Sequence, residues 1–256
     1  MRVLVTGGGG FLGRHVLQAL AEAGHDPVSA GHDTPLPTEF RLAEQVEDLF
    51  SEVRPEAVVH LAGTSRREDF ARGPVEVRTE NVSHPLLNVL EQAGRRRVVA
   101  VSTALVWGEG PLGDGVAPRP RDLYGAARAT AEVMGARRAQ GDFLLLRPFL
   151  LLGEGAPACE LFDARSGWRR GDTAVDVLHA HDAALAVATV LSRGAAGMAY
   201  TLASGGTMAL ASLVESGRVR AEGLPPGEGP SRVWSAPASA LQALGWRPGS
   251  QGHPPV

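Results

Sequence analysis

Four consecutive glycines, Gly7 to Gly10, separate a short apolar run, Val3-Leu4-Val5, from a stretch with helical spacing: Leu12, Val16, Leu17 and Leu20. A strand that stops on glycines and restarts at once as a helix constrains the fold more than any other feature of this chain. With Gly13 the turn reads Gly7-x-x-Gly10-x-x-Gly13. Glycine at these positions lets the backbone turn tightly, approach a diphosphate, and pack helix against strand. The N–H groups opening the helix then face an anion with the positive end of the helix dipole. No Gly-Lys-Ser/Thr follows the turn, so it is not the phosphate loop of an NTPase. It reads as a pyrophosphate site for a dinucleotide.

The rest of the chain repeats the alternation. Val28 to Ala30 and Ala57 to Leu61 read as strands around a helix at Ala43 to Val53 with apolar Val46, Leu49, Phe50 and Val53. Val82 to Ala93, Leu123 to Ala139 and Asp182 to Ser192 read as helices; Arg97 to Ser102, Phe143 to Leu146 and Met198 to Leu202 read as strands. Short runs that are apolar throughout belong to strands buried on both faces, so the expected fold is α/β, a doubly wound parallel sheet covered by helices. Ala221 to Pro237 reads as a loop, and Gly249 to Val256 as a loose tail.

Composition narrows the function. A chain of 256 residues with net charge -3 does not point to nucleic acid or to an anionic membrane as a partner. Apolar stretches as short as Phe149 to Leu152 span no bilayer. One cysteine allows no internal disulfide, and no charged-then-apolar leader precedes the first strand, so a cytoplasmic setting is expected. All 25 cationic side chains are arginine, which excludes a lysine Schiff base or lysine general base. His179-x-His181-Asp182 reads as packing or substrate contact rather than metal ligation, so no metal is expected; His60 reads as a hydrogen-bonded core histidine. Trp168-Arg169-Arg170 is a candidate border of a substrate pocket or a surface turn.

An ordered series of motifs resembles the extended short-chain dehydrogenase/reductase family, the NAD-dependent epimerase/dehydratase group. Gly7, Gly10 and Gly13 match its fingerprint. Val58-Val59-His60-Leu61-Ala62-Gly63 resembles the motif closing its fourth strand, and Asn81-Val82 the motif after it. Ser102-Thr103-Ala104-Leu105-Val106-Trp107-Gly108 resembles its serine/threonine motif, with Trp107 where tyrosine is usual. Tyr124-Gly125-Ala126-Ala127-Arg128 stands at its Tyr-x-x-x-Lys. Leu146-Arg147-Pro148 with Gly153, Asp176 to Asp182, Tyr200-Thr201-Leu202 and Leu244 to Pro248 match later segments.

The resemblance implies a Rossmann sheet over residues 1–154 plus 174–203, and a small substrate lobe from 155–173 plus 204–256. It implies an NAD(P)-dependent oxidoreductase acting on a carbonyl or hydroxyl of a small sugar-like or natural-product substrate. The alternatives are an epimerase or dehydratase that recycles its bound cofactor, and a protein that holds NAD(P) without redox turnover. Tyr124 is implied as acid/base and Thr103 as the hydroxyl on the substrate oxygen; Ser102 is the rival, since strand alternation turns only one of them to the ligand. Arg128 replaces the lysine. Its fork can hold ribose hydroxyls and supply charge, but it releases no proton near neutral pH. Either it is a working substitute, or cofactor binding outlives turnover.

Cofactor contacts are expected from Gly7, Gly10, Phe11, Leu12, Gly13, His32, Glu39, Phe40, Leu61, Ala62, Asn81, Tyr124, Arg128 and Pro148. The NAD-selective acid of the second strand is absent at Gly31. His32 could face a 2′-phosphate that Asp33 would repel, so NADP is favoured over NAD. A homodimer through the helices starting near Asn81 and Tyr124 is implied as well.

Overall fold

The computed structural model describes residues 1–63, 75–108, 111–156, 173–218 and 233–249. The expectations for Trp168-Arg169-Arg170, and for nearly all of the loop at Ala221 to Pro237 and the tail after Gly249, lie outside them.

Six strands form one sheet: β1 (Arg2–Thr6), β2 (Asp26–Ala30), β3 (Ala57–His60), β4 (Arg97–Val101), β5 (Phe143–Pro148) and β8 (Ala199–Leu202). Their spatial order is β2-β1-β3-β4-β5-β8 and every pair is parallel. Val3, Val5, Val59, Val99 and Leu144 point to one face. There they meet α1 (Phe11–Glu22) and α5 (Ala180–Arg193). Leu4, Val58, Val98 and Leu145 point to the other, under α2 (Ala43–Val53), α3 (Val75–Ala93) and α4 (Leu123–Arg138). A continuous apolar run is needed because both faces are covered. The fold class read from the sequence is the one observed.

After β1 the chain steps to one side to make β2, then crosses back through α2 to make β3 on the other side of β1. This reversal opens a crevice at the carboxyl ends of β1 and β3, where open α/β sheets bind ligands. The family's fourth strand is third here. The segment between β2 and α2 is reduced to a single bridge, Ala30 to Leu36. Helix α3 starts at Val75, earlier than its sequence signal, and carries Pro85 in its interior. Proline there removes one N–H, so the turn Asn81 to Pro85 lacks its helical bond.

A second, four-stranded sheet lies at the carboxyl edge. β7 (Ala174–His179) pairs in parallel with β6 (Leu150–Leu152) and β10 (Val233–Trp234), and antiparallel with β9 (Thr207–Ala209). The segment 174–203 thus divides: β7 joins the small sheet, while α5 and β8 complete the large one. A third core beneath the crevice gathers Leu105, Trp107, Phe149, Leu152 and Val175 with Trp234 and two residues of α6 (Leu210–Glu215), Leu210 and Leu213. Short α7 (Ser239–Ala243) packs Leu241 against the α1 face.

Candidate active site

At the phosphate end the backbone itself makes the site. Gly7 has φ +73°, which side chains other than glycine rarely adopt. A Cβ on Gly13 would stand 2.4 Å from the Gly7 carbonyl oxygen and 2.6 Å from that of Gly8. Helix α1 therefore meets the turn at backbone contact. Its N-cap, Gly10, offers no side-chain cap, and its first turn carries no acid. Since the helix's own bonding starts with Arg14 N–H to the Gly10 carbonyl at 3.2 Å, the N–H groups of Phe11, Leu12 and Gly13 have no partner one turn back.

A cleft of about 700 Å³ opens over this turn. Nine of the expected cofactor residues line it: Gly7, Gly10, Phe11, His32, Glu39, Phe40, Leu61, Ala62 and Asn81. Leu12 packs into the α1-face core instead, and Gly13 lies behind the turn. Pro148 is buried at the end of β5, and neither it nor Tyr124, Arg128 or Thr103 is among the lining residues. The sequence reading missed Arg14, Thr38, Arg41, Gly63, Pro85 and Gly155. Arg14 and Arg41 had a signal, since each directly follows a motif. Gly155 had none, because its place depends on how β6 ends.

Glu39 and Arg41 form one wall. The Arg41 guanidinium donates to Glu39 at 3.0 and 2.9 Å and to Asn81 Oδ1 at 3.1 Å. This holds the Glu39 carboxyl below the usual carboxylate range and raises Arg41. Arg41 is exposed and Glu39 partly so, which leaves the pair a small contribution to stability. Its effect is to tie the segment after β2 to α3 across the cleft. Asn88 Nδ2 adds bonds to the Phe40 and Arg41 carbonyls at 3.0 and 3.1 Å.

At the other end the site is made of side chains. Asp122 caps α4, its carboxylate accepting the Gly125 N–H at 2.7 Å. Tyr124 and Arg128 follow one turn apart. Arg128 Nε donates to the Tyr124 hydroxyl oxygen at 3.0 Å, and its guanidinium carbon lies 5.3 Å from the ring centre. Arg128 is buried at 9% exposure, so the cation is held out of water. A Cβ on Gly125 would stand 2.4 Å from the Leu105 carbonyl oxygen. Only glycine lets α4 seat against the 3-10 turn Ala104–Val106, which Thr103 caps by accepting the Leu105 N–H at 3.2 Å. This seating brings together the helix of Tyr124 and Arg128 and the turn of Thr103. Ser102 Oγ is buried without a partner among the described residues.

His60, buried at the end of β3, is the other titratable group of this region. Thr6 Oγ1 accepts the N–H groups of Leu61 and Ala62, both at 3.2 Å, and lies 2.9 Å from His60 Nδ1. With its lone pairs used, the hydroxyl donates its proton to Nδ1, which places the ring proton on Nε2. Burial, aided by the charge of Arg128, pushes the imidazole down to about 3. His60 is neutral at any ordinary pH.

Trp107 does not line the cleft. It is 1% exposed, donates Nε1–H to the Val116 carbonyl at 3.0 Å, and stacks on the Arg147 guanidinium at 5.1 Å. Arg147 in turn forks onto Glu132 at 3.1 and 2.6 Å in the interior. His179 caps α5 through Nδ1, which accepts the His181 N–H at 3.2 Å, and its ring meets His15 edge-on. The Asp182 carboxylate accepts the Gly249 N–H at 3.1 Å. Among the described residues no cluster of three or more possible metal ligands occurs, and no helix is long and apolar enough to cross a membrane.

Residues 3–203 match the model of the NAD dependent epimerase/dehydratase family. The chain belongs to that family. It is similar to the UDP-glucose 4-epimerase of Azospirillum brasilense, 33% identical over 150 residues, which are 52% of this chain and 43% of that protein. The chain thus matches less than half the length of that relative. The GDP-6-deoxy-D-mannose reductase of Pseudomonas aeruginosa is 28% identical over 243 residues, 84% of this chain and 78% of the reductase. Among solved structures, the Thermus thermophilus UDP-glucose 4-epimerase complexed with NAD superposes with TM-score 0.74 at 24% identity, covering 97% and 94% of the two chains. RMD from Pseudomonas aeruginosa, complexed with NADPH, superposes with TM-score 0.77 at 24% identity, covering 96% and 93%. At such identities these structures establish the shared Rossmann fold. The chain is an enzyme of the epimerase/dehydratase family.

Proposed function

We propose that the protein is an NAD(P)-dependent oxidoreductase acting on a carbonyl or hydroxyl carbon of a small sugar-like substrate. One observation carries this reading: a phenol held by a buried guanidinium at 3.0 Å, on the helix seated against the turn of Thr103. The cleft over the glycine turn fits the dinucleotide. Gly13 leaves no room for a Cβ atom, Gly7 is left-handed at φ +73°, and the uncapped start of α1 suits a diphosphate. A bound nicotinamide supplies hydride chemistry at the substrate carbon. The chain's own residues supply the rest. Tyr124 exchanges a proton with the substrate oxygen. Arg128 stabilises the negative charge that appears on the phenol oxygen as the proton leaves, through a charge-assisted hydrogen bond. The Thr103 hydroxyl, which accepts from Leu105 N–H, still has its own proton to give to the substrate oxygen. Arg128 shuttles no proton; its role is charge and position.

NADP is the preferred cofactor in this reading. Gly31, at φ +133°, stands where the NAD-selective acid would be, and His32, Arg14 and Arg41 line the same cleft, with Asp33 and Glu39 as the opposing carboxylates. A small substrate accords with the short segment between Gly153 and Asp176. The homodimer rests on α4, which exposes Leu123, Val133 and Met134 at 53, 59 and 40%. A second reading, epimerisation with the cofactor recycled, is favoured by the 33% identity to a UDP-glucose 4-epimerase. Absorbance at 340 nm, followed with NADPH and a panel of carbonyl compounds, separates the two. Net oxidation of NADPH supports the first reading, whereas cofactor that co-purifies and shows no net change while product forms supports the second. Absence of any product with a bound cofactor overturns both.

A further inference from the structure

Two buried carboxylates lie outside the chemistry above. Asp176 takes its bonds from Ser204, Gly205 and Ser235 and ties together the small sheet and the loop after β8. Glu132 is different, because it stands on α4, the helix that carries Tyr124 and Arg128.

Every buried position of α4 is glycine or alanine except Arg128 and Glu132. Small side chains let a helix approach its neighbours closely, as Gly125 does against the Leu105 carbonyl. They interlock poorly, however, so sliding along the axis or turning about it costs little. The Arg128–Tyr124 bond lies within the helix and does not hold it to the sheet. Glu132, two turns beyond Tyr124, reaches across. Its two oxygens accept from Arg147 of β5 at 3.1 and 2.6 Å, and the partners are 5% and 7% exposed. A planar fork on a carboxylate fixes direction as well as distance. The same guanidinium stacks on Trp107 at 5.1 Å, and its Nη1 donates at 3.4 Å to the Val116 carbonyl that also takes the indole N–H. Trp107 closes the 3-10 turn that Thr103 opens. One arginine thus joins β5, the helix of Tyr124 and the turn of Thr103. We propose that Glu132 and Arg147 are positioning residues: their fork sets the register of α4 on β5, and with it the place of the Tyr124 phenol relative to the Thr103 hydroxyl. A single polar contact inside an apolar interface sets register in the same way in coiled coils.

This inference rests on the reading of Tyr124 and Thr103 as the reacting pair, but its first readout needs no turnover. Spin labels on Thr130→Cys of α4 and Gln18→Cys of α1, both exposed positions, report where α4 sits through their distance distribution, in a Cys159→Ser background. Glu132→Leu combined with Arg147→Met removes both charges together and is expected to fold with nearly the wild-type Tm. In that variant the label distance shifts or broadens, and kcat falls about 10²-fold while cofactor Kd stays within about twofold. A folded double variant with the wild-type distance, or with wild-type kcat, overturns the proposal. An altered distance in the variant, when the wild type turns over no substrate, keeps the register contact and sinks the redox reading. Should the double variant not fold, Arg147→Lys decides, since lysine keeps the charge but neither the fork nor the stack. An altered label distance in Arg147→Lys supports the proposal; the wild-type distance overturns it.

Discussion

The cleft over the glycine turn and the Tyr124–Arg128 cluster are built on different principles. The phosphate end uses backbone: a left-handed Gly7, a Gly13 with no space for a methyl group, and the free N–H groups of α1. The proposed catalytic cluster uses side chains held by other side chains, with the Tyr124 hydroxyl gripped by Arg128. Backbone geometry tolerates no substitution but needs no partners. A side-chain relay tolerates substitution when a neighbour compensates. An arginine can therefore stand where the family has lysine, while the glycine spacing is intact.

The sharpest way to break this contrast is at Gly13. Gly13→Ala pushes a methyl group into two carbonyl oxygens and is expected to cost about 3 kcal/mol or more, with loss of cofactor binding. Thermal unfolding and a fluorescence titration with NADPH check it; a stable, cofactor-binding Gly13→Ala variant contradicts the backbone account. Next is Tyr124→Phe, expected to lower kcat about 10³-fold while cofactor Kd stays within about twofold. Equal losses in both quantities would place Tyr124 in binding rather than chemistry. Arg128→Lys should retain most of the activity and Arg128→Met should lose about 10²-fold, since charge rather than a shuttled proton is the requirement. Smaller activity in Arg128→Lys than in Arg128→Met would contradict that account.

Acid stability tests the buried imidazole of His60. His60 is held at about 3 against an ordinary 6.5, so between those pH values the unfolded chain binds the proton and the folded one does not. Stability from this source is fully present above pH 6.5 and is lost as pH falls toward 3, by at most about 1.4 kcal/mol per pH unit. Asp176, raised by burial, has the opposite sign, so the comparison must be between variants. Urea unfolding from pH 7 to 4 should fall less steeply for His60→Asn than for wild type; parallel curves would refute a buried neutral imidazole. The smallest effect belongs to Arg41→Met, a few-fold loss of preference for NADPH over NADH, read from the two Kd values. An unchanged ratio would remove Arg41 from cofactor selection.

Much of the fold was legible because its signals are local. The helix at Ala43 to Val53 has its observed limits, ending at Arg54 in a left-handed conformation. The glycine turn identified the strand–helix junction, and the periodicity fixed which residues face the core. The small sheet was not legible. β6, β9 and β10 are two or three residues long, too short for any period, and exist through pairing with β7. The helix expected at Val82 to Ala93 already ran through Pro85; its observed start at Val75 was missed because Val75 to Asn81 carries no helical apolar period. At the site, most residues inside a motif were found, Arg14 and Arg41 were passed over beside one, and Pro85 and Gly155 enter through tertiary packing. Trp107, which stands where tyrosine is usual, is buried and does not line the cleft, a placement its identity alone could not give.

The Arg147–Glu132 fork under Trp107 has a consequence for anyone reshaping this enzyme. Removing either member strands an ion in the interior, at a cost of about 3 to 5 kcal/mol, whereas replacing both by apolar residues of matching volume is close to neutral. Drift at these two sites is therefore concerted or lethal, and a library that randomises them one at a time will return only the parent.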